Sequence, residues 1–95
     1  MKVEITETAR KSFYQIINQY SESKSSEFSK KTISIIETIL KNNYIGSRYK
    51  KTPFRKFLIS NLVYLFYKVD KQTIYIILFW DNKRNPIDLE IILSS

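Results

Sequence analysis

Between residues 62 and 81 the chain carries two runs, Leu62–Val69 and Thr73–Asp81, with apolar side chains at both odd and even positions. Lys68 is the one basic residue within them. Successive side chains of a strand point to opposite faces, so strands of this kind must be covered on both sides or lie in the middle of a sheet. Only Asp70-Lys71-Gln72 separates the two runs, and only Ser60-Asn61 separates the first from a preceding strand-like segment, Phe54–Ile59. Connections this short predict an antiparallel meander of three strands. Whatever else the chain folds into must therefore supply cover for that meander.

The N-terminal half offers it. Lys2–Ile5 alternates and reads as a short strand. Thr6 or Thr8 then stands ready to cap a helix, with Glu7 suited to the positive end of its dipole. Ala9, Phe13, Ile16, Ile17 and Tyr20 recur at helical spacing, and after the polar stretch Ser21–Ser26 so do Phe28, Thr32, Ile35, Ile36, Ile39 and Leu40. Ser25 or Ser26 is the cap expected for this second helix, which should end near Asn42-Asn43. Two helices joined by so short a turn predict an antiparallel hairpin. Asn43–Pro53 and Asn82–Pro86 read as loops, and Ile87–Leu93 as a strand, a helical turn or an extended tail. With Asp88 and Glu90 alternating against Ile87, Leu89 and Ile91, an edge strand with one wet face is the simplest form of that tail. The expectation is one α+β domain over residues 1–95 in two layers: an N-terminal strand, the helical hairpin and the three-stranded meander, with one sheet face partly open.

Composition narrows the chemistry. Among 95 residues there is no cysteine and no histidine, and Gly46 is the sole glycine. Disulfides, thiolate nucleophiles, the usual metal ligands, the usual neutral-pH acid–base group and a glycine-rich phosphate loop are all excluded. No metal and no cofactor is expected. The apolar runs fall far short of the roughly 20 residues that span a bilayer, and the N-terminus lacks the apolar centre of a signal peptide. A soluble, cytoplasmic protein without a membrane partner is expected. The net charge of +7 is concentrated: residues 38–69 hold seven cations and no acid after position 38, while the rest of the chain balances nine cations against nine acids. Such a block favours polyanions or an acidic protein through long-range steering.

Residues 54–86 carry a further signal. Arg55 stands at the start of the meander, the aromatic-rich middle strand ends in Tyr67-Lys68, and the apolar last strand runs into Asn82-Lys83-Arg84-Asn85-Pro86. In this order and spacing the chain resembles the RelE/ParE toxins of bacterial type II toxin–antitoxin systems, and the likeness extends over nearly its whole length. The resemblance implies a small sheet with a helical hairpin on one face. It also implies growth arrest by one of two routes, inhibition of DNA gyrase as in ParE-like members or cleavage of messenger RNA on the ribosome as in RelE-like ones. A cognate acidic antitoxin would neutralise either.

Cleavage through the ribose 2′-hydroxyl needs a base, cations for the crowded phosphate and an acid for the leaving oxygen. Arg55, Lys56, Tyr67, Lys68 and Arg84 are the candidates for that work. After Pro86 the chain has neither the tyrosine nor the histidine that the family's ribonucleases often place beyond the last strand, and Asp81 stands where many relatives carry histidine. Gyrase inhibition requires only a rigid surface with cations and anchors, for which Lys50, Lys51, Arg55, Lys83 and Arg84 are the expected target-binding set. Ile87, Leu89, Ile91 and Leu93 are the expected apolar contacts for the antitoxin. A non-toxic nucleic-acid-binding domain is the third reading; it would need Tyr44, Tyr49 and Phe54 to share one exposed surface for base stacking.

Overall fold

The computed structural model describes residues 1–94. The elements run β1 (Lys2–Ile5), α1 (Glu7–Ile17), α2 (Glu22–Lys41), β2 (Ser47–Arg48), β3 (Phe54–Ser60), β4 (Val63–Asp70), β5 (Thr73–Asp81) and α3 (Pro86–Ser94). The strands form one mixed sheet in the order β1-β5-β4-β3-β2, with β1 parallel to β5 and the other pairs antiparallel. The chain is α+β, as its patterning implies, but richer than one strand, a hairpin and a meander: β2 pairs with β3 inside the segment expected to be loop, and the tail is a third helix.

The doubly apolar runs sit where their composition requires. β4 is the central strand and β5 its neighbour. Val63, Leu65, Tyr67, Ile74, Ile76 and Phe79 point to one face, where they join Ala9 and Ile16 of α1 and Phe28, Ile35 and Ile39 of α2 in the larger core. Phe66, Leu78 and Trp80 point to the other, where Leu89 of α3 completes a second, smaller core. This face is therefore partly covered by the chain's own C-terminus. A β-bulge makes the double burial possible in β5. Opposite Phe66 and Tyr67 the partners are Leu78 and Ile76, so Ile77 is the extra residue. The bulge resets the alternation, turning Ile74 and Ile76 toward the helices but Leu78 and Trp80 away from them.

Caps set the helix limits. Thr6 accepts the Ala9 N–H while its own hydroxyl donates to the carbonyls of Ile76 and Ile77, fastening the start of α1 to the bulge. Ser21, not Ser25 or Ser26, caps α2 by accepting the Lys24 N–H; Ser25 instead donates to the Ile17 carbonyl across the turn. Between the helices Phe13 and Tyr20 pack on Phe28, with ring centroids 5.8 and 5.6 Å away. Ser12 is buried, and its hydroxyl accepts the Phe79 N–H, stitching α1 to β5 beyond the end of β1.

Candidate functional site

β-sheet register sorts the cations by face. Arg55 lies opposite Tyr67 and so points to the helix side, whereas Lys56 lies opposite Phe66 and Lys68 opposite Tyr75, on the second face. On that second face each cation rests over an aromatic ring of an adjacent strand or of its own strand end. Lys56 Nζ is 4.8 Å from the Tyr64 ring centre, Lys68 Nζ is 5.5 Å from that of Tyr75, and the Arg84 guanidinium is 4.6 Å from that of Trp80. Attraction to the ring quadrupole holds each cation on a preferred side of its ring without removing its charge from solvent. Tyr64 and Trp80 are cross-strand partners and Tyr75 lies opposite Lys68 further along the same two strands, so this arrangement is built from the same residues that form the sheet.

The loop after β5 is ordered by its own polar atoms. The Lys83 N–H donates to the Asp81 carboxylate at 2.9 Å, the Arg84 N–H to the Asp81 carbonyl at 3.0 Å, and the Asn82 N–H to the Leu62 carbonyl at 2.8 Å. Lys83 and Arg84 are thus exposed side chains on a fixed backbone, beside a buried tryptophan.

The other sequence-derived candidates separate from this group. Tyr67 has no exposed surface. Its hydroxyl accepts the Gly46 N–H and donates to the Asn43 carbonyl, both at 2.9 Å, and burial pushes its pKa up. Arg55 donates to the carbonyls of Gly46 and Tyr44 at 2.8 and 3.3 Å and covers the Tyr44 ring. Tyr67 and Arg55 therefore hold the 43–46 segment against the sheet. Lys50, at φ 51°, forms an ion pair with Glu90 of α3, and Lys51 is exposed beside it in the loop before β3. Of the tail residues, Leu89 is 7% exposed and Leu93 half-buried against the second core, while Ile87 and Ile91 are 65% and 61% exposed and stand one helical turn apart. Tyr49 and Phe54 pack into the second core, and Tyr44 lies with Arg55 on the helix side, so these three do not form one stacking surface.

Tyr64, Tyr75 and Trp80 are the residues that sequence reasoning passed over as partners for the cations. The Lys68–Tyr75 pair was readable, because the two residues are equidistant from the Lys71-Gln72 turn. The Arg84–Trp80 and Lys56–Tyr64 pairs were not, because the bulge and the loop geometry decide them. No group of three or more acidic side chains among the described residues is placed to hold a metal ion. No helix among them is long and apolar enough to cross a membrane. No protein-family model matches the chain, and no curated protein matches it.

Proposed function

We propose that this chain is a growth-arresting toxin of RelE/ParE type that acts by binding DNA gyrase, and that a cognate acidic antitoxin neutralises it. The observation that carries the binding route is the separation of the two residue sets. Lys56, Lys68 and Arg84 face outward over rings, while Tyr67 is sealed in the core and Arg55 is turned onto the 43–46 segment. Cleavage of RNA needs a proton acceptor beside the cations, and the tyrosine put forward for that role is committed to two hydrogen bonds. Inhibition by binding needs only rigidly presented charge and an anchor. The fixed loop with Lys83 and Arg84 beside Trp80 meets that need, and gyrase as the target follows from the likeness of the Asn82–Pro86 loop to ParE-like members. For the antitoxin, Ile87 and Ile91 offer an exposed apolar stripe, and Lys51 with Lys83 offers charge that speeds encounter with an acidic segment.

Arg84→Ala tests the reading. The variant should fold normally, because the guanidinium is on the surface, and should lose about 10- to 100-fold in inhibition of gyrase supercoiling, the equivalent of about 1.5–3 kcal/mol for one contact to a charged group. Induced growth arrest should weaken in parallel. Wild-type protein that leaves supercoiling untouched but cuts messages on purified ribosomes, in a manner dependent on Lys56 or Lys68, would replace gyrase with the ribosome as target.

A further inference from the structure

The outer side of the helix layer carries apolar side chains that the chain itself leaves uncovered. A groove of about 370 Å³ between α1 and α2 is lined by Ile5, Phe13, Tyr14, Ile33 and Ile36, together with Arg10. Ile5 and Ile33 are 60% and 61% exposed, and Tyr14 is exposed with them. The charged group and the buried hydroxyl of this groove are engaged within the chain. Arg10 is held by the Glu7 carboxylate through two hydrogen bonds, at 3.0 and 2.5 Å, and the Thr32 hydroxyl donates to the Phe28 carbonyl at 2.9 Å. What remains to be covered is apolar surface.

The α2 helix continues this face in a particular order. Ser26, Ile33 and Leu40 recur every seven residues, which is close to two helical turns, and so share one side of the helix. Lys30 and Glu37 stand beside them, one shortly before Ile33 and one shortly after it. All five are exposed. Neither Lys30 nor Glu37 takes part in an ion pair among the described residues. They cannot pair with each other, being about 10.5 Å apart along the axis at ~1.5 Å per residue.

A two-fold axis through Ile33, with α2 antiparallel to its copy, satisfies all of these positions at once. Ile33 meets Ile33, the small Ser26 of each copy receives Leu40 of the other, and Lys30 of each copy faces Glu37 of the other. In an interface of this symmetry every contact occurs twice, once in each direction. Charge also favours a second copy over an acidic partner. The chain carries +7 overall, yet this face balances Arg10 against Glu7 and Lys30 against Glu37. An acidic segment is drawn to the basic faces, whereas two copies of a basic chain repel least where their surfaces are neutral.

We infer that the chain forms a two-fold homodimer through α2, centred on Ile33. This face lies across the sheet from Lys56, Lys68 and the second core, so the inference does not rest on the function proposed for those residues.

An interface built on one helix belongs at the small end of specific interfaces. A micromolar dimer is expected, and sedimentation velocity of the purified chain over about 1 to 500 µM spans that range. Ile33→Lys should raise Kd at least about 10-fold, because it sets two like charges together at the axis. Lys30→Glu and Glu37→Lys should each raise Kd about 5-fold or more, since each places like charges opposite one another twice. An equimolar mixture of these two variants should associate as the wild type does, because every facing pair in the mixed dimer is again opposite in sign. The Lys30→Glu/Glu37→Lys double variant should recover in the same way. All of these substitutions are at exposed sites, so thermal midpoints measured at low concentration should stay near that of the wild type. A wild-type chain that remains monomeric throughout overturns the inference and leaves the face to a different partner. Association that Ile33→Lys does not weaken, or that the mixture of charge variants fails to recover, places the contact on another surface and overturns it equally.

Discussion

Gly46 is the one glycine of the chain, and its place is a matter of space, since its φ is not positive. A Cβ there would stand 2.7 Å from Tyr67 Cε1, 2.8 Å from its hydroxyl and 2.9 Å from the Lys56 carbonyl oxygen. The last is backbone of β3 and cannot yield cheaply. Gly46→Ala should therefore destabilise the fold by about 1–3 kcal/mol, the range for overpacking a tight site, as read from the urea midpoint. Tyr67→Phe relieves only one of the three contacts and removes the partner of the buried Gly46 N–H, an omission that costs about 1–3 kcal/mol by itself. The double variant should consequently remain no more stable than Gly46→Ala alone. The same cluster explains why Tyr67 and Arg55 looked catalytic in the sequence: a tyrosine and an arginine near a loop are equally the parts of a loop clamp. Which use applies depends on the face each residue takes, and that follows from pairing with a strand elsewhere in the chain.

At the scale of elements, α3 is the part of the fold that the sequence left most open. Asp88 and Glu90 alternate with apolar residues as an edge strand would, yet Asn85-Pro86 is a strong helix start. The Asn85 side chain accepts the Ile87 N–H at 3.0 Å, Pro86 occupies the first helical position, and Asp88 sits in the first turn. The helix is tied down at its middle. The Glu90 carboxylate accepts from the Tyr49 hydroxyl and pairs with Lys50, while Leu89 lies on the core that contains Trp80. Lys50 first, and then Tyr49, hold the Glu90 pKa below its ordinary value. A depressed carboxylate favours the docked state above the ordinary carboxylate pKa, about 4.3 for glutamate, and that preference fades as pH falls through the depressed value. Trp80 is the only tryptophan, so its emission reports the docking of α3. Acidification below about pH 4.3 should shift the emission to the red before the sheet unfolds. Glu90→Gln should show part of that shift already at neutral pH and lose its dependence on acid. Emission that does not move in either case would place the hold on α3 in the apolar contacts of Leu89, Ile92 and Leu93.

At the scale of the whole molecule, two unequal cores lie on opposite faces of one sheet. The larger, between the sheet and the two long helices, is where stability is concentrated. Ile39 has no exposed surface, whereas its neighbour Leu40 is 37% exposed although both belong to the same apolar stripe in sequence. Ile39→Ala should lower stability by about 2–5 kcal/mol, as for other large-to-small core substitutions, and Leu40→Ala by about 0.5 kcal/mol or less, as at most surface sites. Chemical denaturation of the two variants measures the contrast directly.

The double apolar pattern of residues 62–81, the short turns around it and the helical stripes of residues 9–40 determined by themselves an α+β chain with a central meander and helices to cover it. They did so because burial on both faces and helical periodicity are local properties of composition and spacing. The third helix was within reach through Asn85-Pro86 but was masked by an accidental alternation. Other features had no local signal. The two residues of β2 are too few to show a period, and the bulge at Ile77 is an accommodation between β4 and β5. The assignment of Arg55 inward and Lys56 outward depends on the register of β3 against β4, where a shift of one residue reverses every side chain. The basic block was visible because its members adjoin in sequence. The depression that Lys24, Asn61 and Lys83 line together was not, because its residues come from distant segments of the chain whose turns only tertiary packing brings together.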